Sequence, residues 1–309
     1  MILMQCLRVF ARYFYVPTMI VGLNALAVYL IAYGHRYVWV VLLLAVAIGL
    51  SFAMEQVLPY EGAWNEAHGD TAKDVAHGVV YEIANLCTLF VFIVISAALL
   101  PEWSLWPSAL PIPVQFVLAV VIIDGTMTVM HYFSHRVNWL WRLHAVHHGV
   151  HRLYGFNGFV RHPLHQALDI VAGTLPLVVI GLPVDVAVLL GFAIAVQLIV
   201  QHSNVDYTLG PLQKLLAIGP VHRLHHVNWA GEGDVNFGLF LTVWDRMLGT
   251  FQPPQERKPR SGDVGIQDCP HYPQAYGRQL VAPFDRRGFY PETTETGDPE
   301  APAQGASKD

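Results

Sequence analysis

Apolar residues gather in long runs along the first two thirds of the chain. Tyr13 to Tyr33, Val38 to Leu58, Val79 to Leu100 and Val114 to Met130 each approach the length that a helix needs to cross a bilayer, about twenty residues. The first run is followed by more of the same, so it reads as a membrane helix and not as a cleavable signal peptide. A further stretch, Ala167 to Val200, is broken at Gly181, Leu182 and Pro183. It predicts a helical hairpin whose short arms enter the membrane and leave without fully crossing. From Gln201 onward glycine, proline and charges mix with short apolar pieces, and Glu292 to Asp309 holds no aromatic residue and reads as a disordered tail. No internal repeat is evident.

Composition sharpens this picture. Hydrophobic residues make up 54% of the 309 residues and charged residues only 13%, about half the share of roughly 25% in soluble domains. Too few charges remain to cover a globule of this size, so lipid must wet much of the surface. The net charge of -5 speaks against nucleic acid as a partner, which calls for a basic stripe. Cys6, Cys87 and Cys269 are far apart, and such an unpatterned odd count fits a reducing, cytoplasm-facing protein.

Lysine and arginine set the expected orientation. Arg8 and Arg12 precede the first span, Lys73 follows the second, and Arg136, Arg142, Arg152 and Arg161 follow the fourth, whereas the loop from Pro101 to Pro113 holds no basic residue. Only Arg36 lies on the other side. The expected fold class is all-α: a multi-pass membrane bundle with a cytoplasmic helical cap that carries a histidine-rich dimetal site. Its expected parts are N-terminal transmembrane helices over 1–112, a catalytic domain over 113–252 and a C-terminal extension over 253–309.

The chemistry lies in sixteen histidines, eight of them between His131 and His165. His131 and His135 form HxxxH; His144, His147 and His148 form HxxHH; His222, His225 and His226 repeat it. Residues three and four apart share a helix face, so each group is expected to aim its imidazoles at one spot. A lone HxxxH is commonly an exposed or core pair, but two copies of HxxHH beside it point to metal. Eight imidazoles exceed the four ligands of one tetrahedral zinc, and two metals sharing eight or nine nitrogens is the natural solution. Ligand type alone does not choose among zinc, copper, iron and nickel. His202, which ends the second arm of the hairpin, is the expected ninth ligand. His151, His162 and His165 read equally well as supporting or capping residues, and His35, His68, His77 and His271 as non-ligands.

Neutral imidazoles leave the charge of two cations uncompensated, so carboxylates are expected behind them to orient their N–H groups. Asp124, inside an apolar span and two turns before His131 on the same face, is the best placed, because carboxylates within a membrane are functional by default. Asp234 and Glu232 are weaker candidates in an ordinary Gly-Glu-Gly-Asp loop.

With these residues in hand, the chain resembles the fatty acid hydroxylase and sterol desaturase superfamily from about Asp124 to Phe251. The resemblance runs through HxxxH, Leu140-Trp-Arg-Leu-His-Ala-Val-His-His148, Arg161-His-Pro-Leu164, His202-Ser-Asn204, Leu209-Gly-Pro-Leu212, His222-Arg-Leu-His-His226, Asn236-Phe-Gly238 and Trp244-Asp-Arg-Met-Leu-Gly-Thr250. Tyr132, Gly149 and His165 depart from residues common among relatives. The resemblance implies two non-haem iron ions, held here by His131, His135, His144, His147, His148, His202, His222, His225 and His226, with O2 as co-substrate. It implies hydroxylation or desaturation of a lipid such as a fatty acyl chain or sterol. Electrons would come from an external donor, cytochrome b5-like or ferredoxin-like. Phe116, Met127 and Phe133 are expected to line the lipid path. The location expected is a bacterial inner membrane, or the endoplasmic reticulum in a eukaryote. The rival readings are a metal transporter or sensor, with ligands at several depths, and a haem protein, for which tandem HxxHH is a poor design.

Overall fold

The structure is a computed structural model that describes residues 1–99, 104–229, 232–267, 269 and 271–285. The expected tail from Glu292 to Asp309 lies outside the described residues. Among these, the fold is helical, and β-pairing is confined to three isolated bridges, Pro59 with Val205, Leu216 with Leu241 and Val227 with Val264.

In chain order the α-helices are α1 (Ile2–Tyr13), α2 (Asn24–Ala32, preceded by a π-helical stretch Pro17–Leu23), α3 (Val38–Val57), α4 (Thr71–Leu99), α5 (Ile112–Arg136), α6 (Asn138–His148), α7 (Pro163–Val179), α8 (Val184–His202), α9 (Gly219–His222), α10 (Val243–Leu248) and α11 (Tyr276–Val281). By length and apolarity α3, α5 and α8 can each cross a membrane, and the bent pair Ile2–Tyr13 with Pro17–Ala32 can supply a fourth span. The first expected span, Tyr13 to Tyr33, thus corresponds to Pro17–Ala32, and the chain bends by 69° at its start, between α1 and Pro17. Proline has no N–H to continue the helix. α4 takes up the third apolar run from Val79, and Leu100 lies outside the described residues.

The hairpin is corrected in one respect. Its first arm, α7, has 17 residues and falls short of a span, but α8 has 19 and meets the length. They turn at Gly181, whose φ of +85° suits glycine; a Cβ there would also strike Ser104 Oγ at 2.2 Å. α8 is the most enclosed of the spans and forms the axis of the bundle, packed against α2, α3 and α5. Its buried Gln197 and Gln201 donate Nε2 to the carbonyls of Ala217 and Leu239, and Gln201 also reaches that of Gly238. These bonds seam the helix to the segments around Ala217 and Leu239.

Glu55 performs a similar task from α3. Its Oε1 accepts from the backbone N–H of Gly155 at 2.8 Å and of Asn204 at 3.2 Å. Asn204 in turn pairs with Glu61 through both its amide groups. A buried side-chain oxygen that accepts from two backbone N–H groups thus ties α3 to the chain that leaves His202.

Candidate metal centre

Four elements bring the histidines together. His131 and His135 occupy the last turns of α5, which ends because Val137 is extended. One residue later α6 begins and carries His144, His147 and His148. His202 is the last residue of α8, His222 the last of α9, and His225 and His226 lie in the turn that follows. All nine predicted ligands meet, in two adjacent groups. One holds His131, His135, His144, His148 and His225; the other holds His147, His202, His222 and His226; within each, the donor atoms lie within 4.8 Å of one another.

The grouping differs from the expected one, in which each motif aims at a single spot. Each HxxHH divides: His144 and His148 go to one group and His147 to the other, while His222 and His226 join His147 and leave His225 to the first. Partners four apart stay together and the one between points elsewhere, so each motif bridges both groups.

Proton positions show that the nitrogens fit metal. His131 directs Nδ1 at the carbonyl of Phe237 (2.9 Å), His147 at that of Val160 (3.1 Å), His202 at that of Leu198 (2.9 Å) and His225 at that of Val235 (2.8 Å). A carbonyl only accepts, so each of these Nδ1 atoms carries the proton, and in a neutral imidazole the Nε2 is then a bare lone pair. His147 Nε2 and His202 Nε2 nevertheless face each other at 3.3 Å. Two lone pairs at that distance repel unless a cation lies between them. Other Nε2 pairs stand at 3.1 Å (His131 with His144) and 3.2 Å (His144 with His148, His202 with His222, His222 with His226). Metal–nitrogen bonds of about 2.0–2.1 Å place neighbouring donors about 2.9–3.4 Å apart. Nε2 of His135 and of His225 is buried without a hydrogen-bond partner.

Electrostatics agree. Burial, and then the neighbouring imidazoles, push the pKa of His144, His147, His148, His222, His225 and His226 well below the usual histidine value. The imidazoles are held neutral, the form that binds metal.

The carboxylates are arranged differently from the expectation. Asp124 is fully buried, but among the described residues its hydrogen bonds go to no histidine. It accepts from the N–H groups of Phe240 (2.7 Å) and Leu241 (3.1 Å) and from Trp244 Nε1 (3.0 Å). Asp245 accepts from the N–H groups of Phe237 (2.7 Å) and Gly238 (2.9 Å), and burial raises its pKa. The two carboxylates clamp the segment from Phe237 to Leu241, whose Phe237 carbonyl orients His131. Asp124 therefore reaches the site through this segment. A Cβ on Gly238 would approach the Leu241 carbonyl at 2.6 Å, which explains the glycine of Asn236-Phe-Gly238. Asn236 holds the preceding turn at φ 59° and pairs with Gln252. The carboxylate that does touch a ligand is Asp234, the weaker candidate, at 2.9 Å from His135 Nδ1. That hydrogen bond outweighs its partial burial and holds its pKa below the ordinary value. Among the described residues Glu232 makes no comparable contact with the nine histidines.

His165 sits behind the first group. Its ring lies 4.7 Å from that of His144, Nε2 meets Ser134 Oγ at 2.9 Å and Nδ1 faces Asp169 Oδ2 at 3.1 Å; Asp169 also pairs with Arg161. Sequence reasoning missed Asp169, although its i,i+4 spacing from His165 was a usable signal. His162 caps α7 by accepting from Leu164 N–H. His151 contacts Gln274, and His77 bridges Gln279 and the Arg161 carbonyl.

A cavity of about 20 Å³ adjoins both groups, lined in part by His131, His144, His147 and His222 and by Met127, Leu198, Phe237 and Leu239. That volume holds roughly one water. Of the three residues expected along a lipid path, Met127 lines this cavity, whereas Phe133 faces outward and Phe116 packs against the core.

Helices able to cross a membrane and a nine-histidine, two-group centre at their ends define a membrane protein built around a metal-binding site. The fatty acid hydroxylase family model matches residues 116–250. An ornithine lipid hydroxylase of Rhizobium tropici is 35% identical over 257 residues, 81% of this chain and 76% of that protein. The alkylglycerol monooxygenase of Danio rerio is 31% identical over 140 residues, 45% of this chain and 31% of its own length. Sphinganine C4-monooxygenase 2 of Arabidopsis thaliana is 25% identical over 152 residues, 48% of this chain and 58% of its own length. The chain thus spans less than two thirds of the latter two relatives. No solved structure matches. The chain belongs to the fatty acid hydroxylase and sterol desaturase superfamily, whose relatives here are lipid hydroxylases and monooxygenases.

Proposed function

We propose that the chain is a non-haem di-iron lipid hydroxylase that uses O2 to insert oxygen into an unactivated C–H bond, with an ornithine lipid as the first substrate to test. The observation that carries this reading is the adjacency of the two imidazole groups to one cavity, lined also by Met127, Leu198 and Leu239 and by Arg161, Asp169 and Gln201. When bound, two iron ions supply the redox chemistry that couples reduction of O2 to oxidation of a C–H bond. Each turnover converts RH, O2, two electrons and two protons into ROH and H2O. The electrons come from a separate donor of the cytochrome b5 or ferredoxin type.

The protein's own residues bind, orient and exclude. His131, His135, His144, His148 and His225 hold one ion; His147, His202, His222 and His226 hold the other. The Phe237, Val160, Leu198 and Val235 carbonyls and Asp234 fix the imidazole tautomers so that every Nε2 they leave bare points inward. Met127, Leu198 and Leu239 supply the apolar part of the cavity lining that a methylene group would meet. The catalytic domain is 113–252, and its open end faces the cytoplasm of a bacterial inner membrane. Transport would place donors at several depths along the spans, whereas these gather at the ends of α5 and α8.

The test is metal analysis followed by turnover. Chain purified into lipid nanodiscs should carry close to two irons and, given a reductant and isotopically labelled O2, convert ornithine lipid to a product with one labelled oxygen. One zinc and no iron would overturn the oxygenase reading. Two irons with unlabelled, dehydrogenated product would move it to desaturation.

A further inference from the structure

A surface outside the spans has a composition that water alone does not explain. The turn Gly210–Lys214 and α10 expose Leu212, Leu215, Val243, Met247 and Leu248, with Met247 74% accessible. They form one plate. Thr242 donates its N–H to the Leu215 carbonyl and its hydroxyl to that of Lys214, and Arg246 Nη2 reaches the same Lys214 carbonyl at 2.9 Å. Lys214 and Arg246 are the exposed charges on this plate, because its one carboxylate, Asp245, is fully buried.

The level of the plate follows from Trp244. Its indole packs so closely on Gly125 of α5 that a Cβ there would approach the ring at 3.0 Å, and its Nε1 donates to Asp124. Asp124 lies six residues before Met130, where the apolar run of α5 ends, about 9 Å along the axis. α10 therefore lies alongside the apolar part of α5 near its histidine-bearing end, level with the outward-facing Val121 and Val129, within the depth of about 5–10 Å at which in-plane helices seat their apolar side.

A second element reaches the same level. α1 is strongly amphipathic and turns 69° away from the helix that follows. Its C-terminus is fastened to the chain leading into Gly210: Thr208 N–H donates to the Arg12 carbonyl, and Arg12 pairs with Asp206 at 2.6 Å. Helices with an apolar side and flanking cations lie in the plane of the headgroup layer.

We propose that α1, the turn Gly210–Lys214 and α10 form an in-plane collar seated in the headgroup layer of the bilayer, with Lys214 and Arg246 taking the phosphates of anionic lipids. The collar is independent of the chemistry at the histidines. It anchors the segment from Phe237 to Leu241, which orients His131, to the membrane surface from which a lipid must arrive.

The test uses the full chain in nanodiscs, in a background of Cys6→Ser, Cys87→Ser and Cys269→Ser, with single spin labels at Met247→Cys and Leu215→Cys. Val117→Cys on the outer face of α5 and Lys258→Cys serve as lipid and water references. At 247 and 215 the label should collide more with O2 than with a water-soluble nickel chelate, as at 117. Chelate-dominated collisions, as at 258, would overturn the collar; low rates with both would show a protein covering the plate and overturn it equally. For the headgroup contacts, spin-labelled phosphatidylglycerol is compared with phosphatidylcholine. Lys214→Gln and Arg246→Gln should each lower the preference for the anionic lipid about fivefold. Arg246 also braces the plate, so Lys214→Gln, whose side chain makes no hydrogen bond among the described residues, is the decisive variant. An unchanged preference in it would remove Lys214 from the headgroup site.

Discussion

Asp234 accepts the Nδ1–H of His135 at 2.9 Å across 99 positions of sequence, while Arg136 approaches its other oxygen at 3.5 Å. The carboxylate fixes the tautomer that leaves His135 Nε2 bare and inward, and it places negative charge beside a set of neutral ligands.

Asp234→Asn should therefore weaken metal binding or turnover by about 10–100-fold, the usual effect of removing a carboxylate behind a ligating histidine. Iron retention against a competing chelator measures it. Retention equal to that of the unaltered protein would show that the Asp234 contact is incidental.

His147 and His202 meet at 3.3 Å with both Nε2 atoms bare. His147→Ala or His202→Ala should lower the iron content toward one per chain and abolish hydroxylation, with membrane insertion unchanged. Full iron content in both variants would exclude these residues as ligands.

Asp124→Asn tests the clamp. A carboxylate accepts all three donors from Phe240, Leu241 and Trp244, whereas an amide turns an NH2 group against at least one of them. The variant should lose about 1–3 kcal/mol of stability, read by thermal unfolding in detergent, and should lose activity because Phe237 shifts from His131. Unaltered unfolding and activity would show the clamp to be dispensable.

A latch outside the spans links α4 to the ligand-bearing region. Arg152 donates Nε and Nη2 to the two oxygens of Asp70 at 2.6 and 2.8 Å, and its Nη1 to the Trp64 carbonyl. Burial alone would raise the Asp70 pKa, but the Arg152 guanidinium more than offsets it and holds the carboxyl below its ordinary range. A depressed folded pKa contributes stability above the unfolded value of about 3.9, and that contribution is lost as pH falls through the folded value. Asp70→Asn should cost about 2 kcal/mol near neutrality and almost nothing in strong acid. A stability difference between the two proteins that does not shrink on acidification would refute the latch.

Much of the site could be read along the chain. All nine histidines of the two groups lie in three motifs and one helix end, and those motifs keep their spacing in any fold that leaves the local helices intact. The division of each HxxHH between two groups could not be read, because it depends on where α8 and α9 stand relative to α6. Asp234 and Asp124 show the same limit. The loop carboxylate met a ligand and the carboxylate on the ligand's own face did not, since hydrogen-bond partners are chosen by approach in space. Asp169 was overlooked although it lies one turn from His165, because its meaning depends on Arg161 reaching back to it.

The order of apolar runs and clustered imidazoles determined, without any contact between distant segments, that this chain would be a helical membrane protein with histidine clusters able to hold metal. Burial in lipid and helical periodicity are local properties, and they act on neighbours in sequence. Which imidazoles share an ion, which carbonyl holds each Nδ1–H and which loop lies against the bilayer were decided only when the helices packed. Those are distances of a few ångströms between residues up to 120 positions apart, and no one-dimensional pattern encodes them.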